Sequence, residues 1–249
     1  MAITVAFSGK GGTGKTTLSG FLVRYLIEHK KTPILVVDAD PNHNLNEVLG
    51  VEVDITLGEI REQMKKGDVP TGMTKDRFIE TKMAEAIIET DDFDLIVMGR
   101  PEGPGCYCAA NALLSEFLRK LVKNYEYIVM DNEAGMEHIS RLTTSDVDIM
   151  IIVSDASKRG LQAAFRINEL AKNLGIVRGD SYLIINNVPK EPSEEVIKYI
   201  KDQGLNYAGV VRSDEMVQEY DLSGRPTFSI SKESMALLDA YKIFNNIIV

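Results

Sequence analysis

The stretch FSGKGGTGKTT, residues 7–17, constrains the fold of this chain more than any other part of it. It follows an apolar run, ITVAF (3–7), and opens a segment of helical period at 16–29. Gly9, Gly14, Lys15 and Thr16 meet the spacing G-x-x-x-x-G-K-[ST], a phosphate loop that has its meaning only between a strand and a helix. Glycines there let successive backbone N–H groups point into one concavity, and the N-terminus of the helix adds its dipole, so the turn becomes a nest for an anion. The candidate nucleotide-binding residues are the run Gly9, Lys10, Gly11, Gly12, Thr13, Gly14, Lys15, Thr16 and Thr17. Within it Lys15 is expected to bridge the β and γ oxygens of ATP, and the Thr16 hydroxyl to hold Mg²⁺.

A phosphate loop stands on a parallel sheet, and the chain offers the strands for one. PILVVD (33–38), DLIVM (94–98), YIVMD (127–131), DIMIIV (148–153) and SYLIIN (181–186) are apolar almost throughout rather than alternating, as strands buried on both faces are. Amphipathic stretches at 16–29, 109–123, 158–174 and 193–203 separate or follow them. That rhythm predicts one α/β domain over residues 1–249: a single-domain P-loop NTPase fold, its sheet mostly parallel, with right-handed crossovers and helices on both faces. Binding residues then belong at the carboxyl ends of the strands. The section 50–92 is the least regular. Its MKKGDVPTGMTKDRF reads as a loop between two surface helices, too polar to form a core of its own.

Composition enters for what it excludes. A chain of 249 residues, 44% of them hydrophobic, can bury a full core. Its net charge of -9 argues against a general affinity for nucleic acid or anionic lipid, both of which need concentrated basic surface. No apolar run approaches the roughly 20 residues that cross a bilayer, and the first ten residues read as a strand rather than a secretory leader. The expected location is the cytoplasm, with no nucleic-acid or membrane partner. The segment SMALLDAYKIFNNIIV (234–249), with one lysine against one aspartate, reads as a packing helix and not as a basic membrane-binding one.

Carboxylates stand where chemistry beside a phosphate loop needs them. VVDADPNHNL (36–45) and VMDNEAG (129–135) both end apolar strands in aspartate, giving Asp38, Asp40 and Asp131. Ionised oxygens there can orient an attacking water and shape the shell of Mg²⁺. A strand-terminal Asp is also a common helix cap, so the argument rests on the three together, in this order after the loop.

The early lysine, Lys10, makes the loop read KGGTGKT, and with it the chain resembles, over nearly its whole length, the deviant phosphate-loop ATPases that include the nitrogenase iron protein, MinD and ParA. That resemblance implies hydrolysis of ATP to ADP and phosphate by a homodimer closed around two nucleotides, with Lys10 crossing to the partner's nucleotide. It places the water-orienting carboxylate at Asp40, which makes Lys10, Lys15 and Asp40 the catalytic set. It puts Asp38 and Asp131 around Mg²⁺ with Thr16, and the backbone N–H of Gly135 against the terminal phosphate. It also brings Asn186, at the end of LIINNVP (183–189), and Arg212 and Asp214, in VVRSDEMVQE (210–219), to the adenine.

Both cysteines of the chain fall in EGPGCYC (102–108). Residues two apart point about 200° apart on an α-helix but share a face in an extended segment. GRPEGPG (99–105) breaks helices, so Cys106 and Cys108 are expected to converge, and the helical stretch that starts at 109 places Cys108 near a positive helix end that favours thiolate. Two thiolates do not fill the roughly four positions of Zn²⁺ or Ni²⁺, whereas two from each chain of a dimer do. Inert buried thiols and a C-x-C that cycles through a strained disulfide are the plainer alternatives.

The pair narrows the resemblance. The nitrogenase iron protein places a second cluster cysteine near the phosphate-sensing loop, and 131–145 contains none here. PEGPGCYC instead looks like the C-x-C of the CooC-type nickel-insertion ATPases, with EAGMEH (133–138) in support. Resemblance to that subfamily implies one Ni²⁺ or Zn²⁺ per dimer, dimerisation on ATP or metal, and a client nickel enzyme such as carbon monoxide dehydrogenase or acetyl-CoA synthase. The competing readings are a MinD/ParA-like positioning switch and an iron-sulfur ATPase reductase. His29 ends a helix and needs no function; His43 and His138 fall in the two switch segments and are left off the ligand set.

Overall fold

A computed structural model describes residues 2–42, 44–65, 70, 72–100, 121–133 and 147–248. The strands are β1 (Ile3–Gly9), β2 (Ile34–Asp38), β3 (Ile88–Glu89), β4 (Asp94–Val97), β5 (Tyr127–Asp131), β6 (Val147–Ser154), β7 (Val177–Val188) and β8 (Asn206–Arg212). The helices described are α1 (Lys15–Glu28), α2 (Leu45–Leu49), α3 (Leu57–Lys65), α4 (Lys75–Glu85), α5 (Lys158–Asn173), α6 (Glu194–Asp202), α7 (Glu215–Leu222) and α8 (Met235–Ile247).

Strand alternation sorts the apolar runs onto two faces. Val5, Phe7, Ile34, Val36, Tyr127 and Val129 enter one core, while Ala6, Leu35, Val37, Ile128 and Met130 enter the other. α1 and α8 cover the first with Leu18, Phe21, Leu22, Leu237 and Phe244. α3, α5 and α6 cover the second with Leu57, Ile60, Leu161, Ile167 and Ile200. Each such burial contributes about 1.5–3 kcal/mol, so neither helix layer stands without the sheet.

The eight strands form one sheet in the order β3-β4-β2-β5-β1-β6-β7-β8, parallel except for β3, which runs antiparallel to β4. The expected α/β fold, mostly parallel with helices on both faces, is what the chain adopts. Parallel register aligns Asp38 with Asp131 at the ends of neighbouring β2 and β5, and Phe7 with Asp131 across β1 and β5. Every strand that feeds the site therefore finishes at one edge of the sheet. Two helices, α3 and α4, lie in the irregular section as expected, but α4 begins at Lys75, inside the expected loop 64–78, and Leu57, Ile60 and Met83 are buried in the second core rather than at the surface. The C-terminal helix packs on α1 and β8, as its apolar composition predicts. No helix among the described residues is long and apolar enough to cross a membrane.

Candidate nucleotide site

The loop between β1 and α1 is a turn that only glycine can complete. Gly9 leaves β1 at φ 148°, where a Cβ would lie 2.2 Å from the carbonyl oxygen of Val153 on β6. Gly12 and Gly14 take left-handed φ values of 75° and 85°. The loop is tied to itself at the Lys10 carbonyl, which accepts from Thr13 Oγ1 at 2.8 Å and from Lys15 Nζ at 3.3 Å. Thr13 and Lys15 are buried, whereas Lys10, Gly11 and Gly12 are exposed at the rim. The N-cap of α1 is Gly14, which supplies no side-chain acceptor. The first N–H groups of the helix are thus left for a ligand, whereas Ser157, Asp214 and Ser234 cap α5, α7 and α8 with side-chain oxygens.

Behind the loop two carboxylates are buried side by side. Asp38, fully buried, accepts from the Asp40 N–H on Oδ1 and the Leu45 N–H on Oδ2, both at 3.0 Å. Burial, with the charge of Asp131 adding to it, pushes the Asp38 carboxyl up to about 8. Burial likewise pushes Asp131 up to about 6, against hydrogen bonds from Thr16 and Ser19 and the positive charge of Lys15. Ser19 Oγ lies 3.3 Å from Asp131 Oδ1. Lys15 is lowered by its own burial, and Asp131 and Asp40 pull it back up. One ammonium faces the carboxyl groups of Asp131 and Asp40, with Asp38 pressed against Asp131 behind them, so acidic groups crowd a site of low dielectric. Asp38, Asp131 and the Thr16 hydroxyl are hard oxygen donors at one point, and that set fits Mg²⁺.

Next to the loop a cleft of about 250 Å³ runs between the ends of β7 and β8 and the start of α7. Asn186 Nδ2 donates to the Thr13 carbonyl at 2.8 Å and lies where a Cβ on Gly14 would be, 2.3 Å away. The Arg212 guanidinium makes a two-pronged pair with Asp239, Nε to Oδ2 at 2.6 Å and Nη2 to Oδ1 at 2.7 Å. Asp214 Oδ1 accepts the Met216 N–H, and its Oδ2 accepts Ser234 Oγ at 2.7 Å and the Ala236 N–H at 3.0 Å. Burial alone would raise that carboxyl; the hydrogen bonds outweigh it and hold it below its ordinary range.

Residues 4–228 match the model of the CobQ/CobB/MinD/ParA nucleotide binding domain family. The chain belongs to that family. It is 45% identical over 248 residues to an uncharacterized ATP-binding protein of Methanocaldococcus jannaschii, covering 98% of each chain. It is 30% identical to the carbon monoxide dehydrogenase accessory protein CooC of Rhodospirillum rubrum, over 91% of this chain and 90% of that one. The solved septum site-determining protein MinD of Pyrococcus horikoshii, complexed with Mg-ADP, shares the fold with a TM-score of 0.74 and 24% identity, over 100% of this chain and 96% of that one.

In this MinD/ParA-family domain the structure brings Gly9 to Thr17, Asp38, Asp40 and Asp131 to one edge of the sheet, and Asn186, Arg212 and Asp214 to the adjoining cleft. Asp155, Asn187 and Gln218 also line that cleft and are absent from the sequence-based set. Asp155 carried a signal close to that of Asp38 and Asp131, an aspartate one serine beyond the apolar run 148–153, and Gln218 is one helical turn beyond Asp214. Hydrogen bonding from Ser157 holds the Asp155 carboxyl low, and the positive charge of Lys10 adds to that. Gly135, Cys106, Cys108, His43 and His138 lie outside the described residues. His29 caps α1, with Nδ1 2.8 Å from the Tyr25 carbonyl oxygen and its ring stacked on Tyr25.

Proposed function

We propose that this chain is a dimeric ATPase that hydrolyses ATP to ADP and phosphate, holds Ni²⁺ or Zn²⁺ between two subunits through Cys106 and Cys108, and assists nickel insertion into a client such as carbon monoxide dehydrogenase or acetyl-CoA synthase. Hydrolysis is carried by one observation: the only ammonium buried at the phosphate loop among the described residues, Lys15, faces Asp131 and Asp40 at an uncapped helix start. Arriving phosphates take Lys15 Nζ from the Lys10 carbonyl and accept from the open N–H groups of α1. Asp40 Oδ1 is held by Asn42, so Oδ2 is the oxygen that orients water toward the γ-phosphorus. Attack breaks the bond to the β–γ bridging oxygen, ADP leaves with that oxygen, and the proton of the water passes to the released phosphate.

Asp38, Asp131 and Thr16 would hold Mg²⁺, whose positive charge supplies neutralisation of the phosphate oxygens. The Asn186, Arg212 and Asp214 side chains are committed inside the fold, which leaves their backbone groups and the flanking cleft residues for adenine. The exposed Lys10 side chain is the group offered to a partner subunit's nucleotide.

The metal reading rests on the C-x-C spacing and the CooC relative. Its test is metal uptake by the purified chain. Wild type is expected to take up about one Ni²⁺ or Zn²⁺ per two chains, and Cys106→Ser with Cys108→Ser to lose it while still binding ATP. Unchanged affinity in that variant by calorimetry rejects the site, and a brown protein with an iron-sulfur absorption band would point to the reductase instead.

A further inference from the structure

Asp40 owes its orientation to a residue 60 positions away. Its Oδ1 accepts twice from Asn42, from the backbone N–H at 2.8 Å and from Nδ2 at 3.0 Å. Using both donors on one oxygen fixes the plane of the carboxylate and leaves Oδ2 turned the other way. The opposite end of the Asn42 amide, Oδ1, accepts from Nη2 of Arg100. An amide rotated by half a turn would face the guanidinium with its NH₂, so Arg100 also fixes which end of Asn42 meets Asp40.

Arg100 is itself set by a rigid footing. Met98, directly beyond β4, donates its N–H to the Asp38 carbonyl at 2.8 Å and accepts from Gly58 N–H at 2.8 Å. Gly99 follows at φ 62°, so close to Thr56 that a Cβ would lie 2.5 Å from its side chain. Thr56 is held in turn by Glu59, whose Oε2 accepts its N–H at 2.7 Å and its hydroxyl at 2.9 Å. The β4 exit thus projects Arg100 over the turn that carries Asp40.

We infer that Arg100 is a positioning residue for ATP hydrolysis, acting through Asn42 on the Asp40 carboxylate. The inference rests on the reading of Asp40 as the water-orienting group. Among the described residues the hydrogen bond of Arg100 goes to Asn42, so its effect is expected on kcat rather than on nucleotide affinity.

Steady-state and single-turnover hydrolysis by full-length Arg100→Ala, Asn42→Ala, the double variant and Asp40→Ala tests it. Both positions are exposed, so folding is expected to be unaffected, which thermal melting checks. Arg100→Ala and Asn42→Ala should each lower kcat about tenfold, equivalent to about 1.4 kcal/mol in the barrier, with KM for ATP within about twofold. Because they act in series, the double variant should be no slower than either single one. Arg100→Lys, which keeps one donor, should recover part of the rate. In an Asp40→Ala background Arg100→Ala should change nothing. Effects that multiply to about 100-fold, a raised KM with kcat intact, or an Arg100 effect that persists without Asp40 would each overturn the relay. Wild-type hydrolysis by Asp40→Ala alone would instead overturn the role of Asp40 itself.

Discussion

At the phosphate end of the cleft, α1 begins without a side-chain cap, Lys15 folds back onto a loop carbonyl, and two neighbouring aspartates are pushed up by burial. At the base end, Asp214 accepts from two helix starts, Arg212 is closed on Asp239, and Asn186 is spent on the Thr13 carbonyl. One end crowds carboxylates behind a helix start with no side-chain cap; the other closes its charged groups on partners within the fold. The difference separates what each end contributes. Open donors and crowded carboxylates cost stability in the free protein and return it when nucleotide and Mg²⁺ bind, whereas the closed end shapes a cleft whether or not it is filled.

The contrast predicts that substitutions at the two ends fail in different assays. The largest effect belongs to Lys15→Ala, which removes the one cation buried at the phosphate loop among the described residues. ATP affinity should fall about 100-fold or more, near 3 kcal/mol, measured by calorimetry or a fluorescent nucleotide, with the melting temperature unchanged or raised. Retained affinity would mean that the loop backbone alone holds the phosphates. Asp214→Ala should show the converse emphasis. It uncaps α7 and strips an acceptor from the start of α8, costing about 1–2 kcal/mol of stability by denaturant unfolding.

A smaller, pH-dependent effect sharpens the same comparison. A carboxyl at 3.8 in the unfolded chain and about 8 in the fold binds its proton more tightly when folded. Stability of the nucleotide-free protein therefore falls as pH rises from about 4 to about 8, by at most about 1.4 kcal/mol per pH unit for that one group, and Asp131 acts in the same direction up to about 6. Asp38→Asn should flatten the profile of melting temperature against pH, and Mg-ADP should do so in wild type. A wild-type profile parallel to that of Asp38→Asn would show that the carboxylates are not strained in the free protein.

Much of this was legible in the sequence where one residue type answers one local demand. β5 occupies 127–131 as its five apolar-to-Asp residues predict, because a strand buried on both faces leaves no ambiguity of period. Gly9, Gly14 and Lys15 are fixed by the loop alone. β7 was harder: the apolar run marks only 181–186, yet the strand runs Val177–Val188, with Gly179 pressed so close to the Asp148 carbonyl oxygen that a Cβ would lie 2.0 Å away. β3 is two residues long, too short for any period. In the site, the strand-end aspartates announced themselves, while the partners that decide their behaviour did not. Asn186 serves the loop 173 residues before it, and Arg100 reaches back 58 residues to Asn42. Such pairings come from sheet order, which interleaves distant strands.

Phosphate release from Mg-ATP by wild type and Asp40→Ala, with ATP binding measured on the same samples, tests the hydrolytic role of Asp40 most directly. Wild type is expected to bind and hydrolyse, and Asp40→Ala to bind as tightly, accumulate as an ATP-bound dimer and release phosphate about 100-fold more slowly. Hydrolysis by Asp40→Ala at the wild-type rate would contradict it.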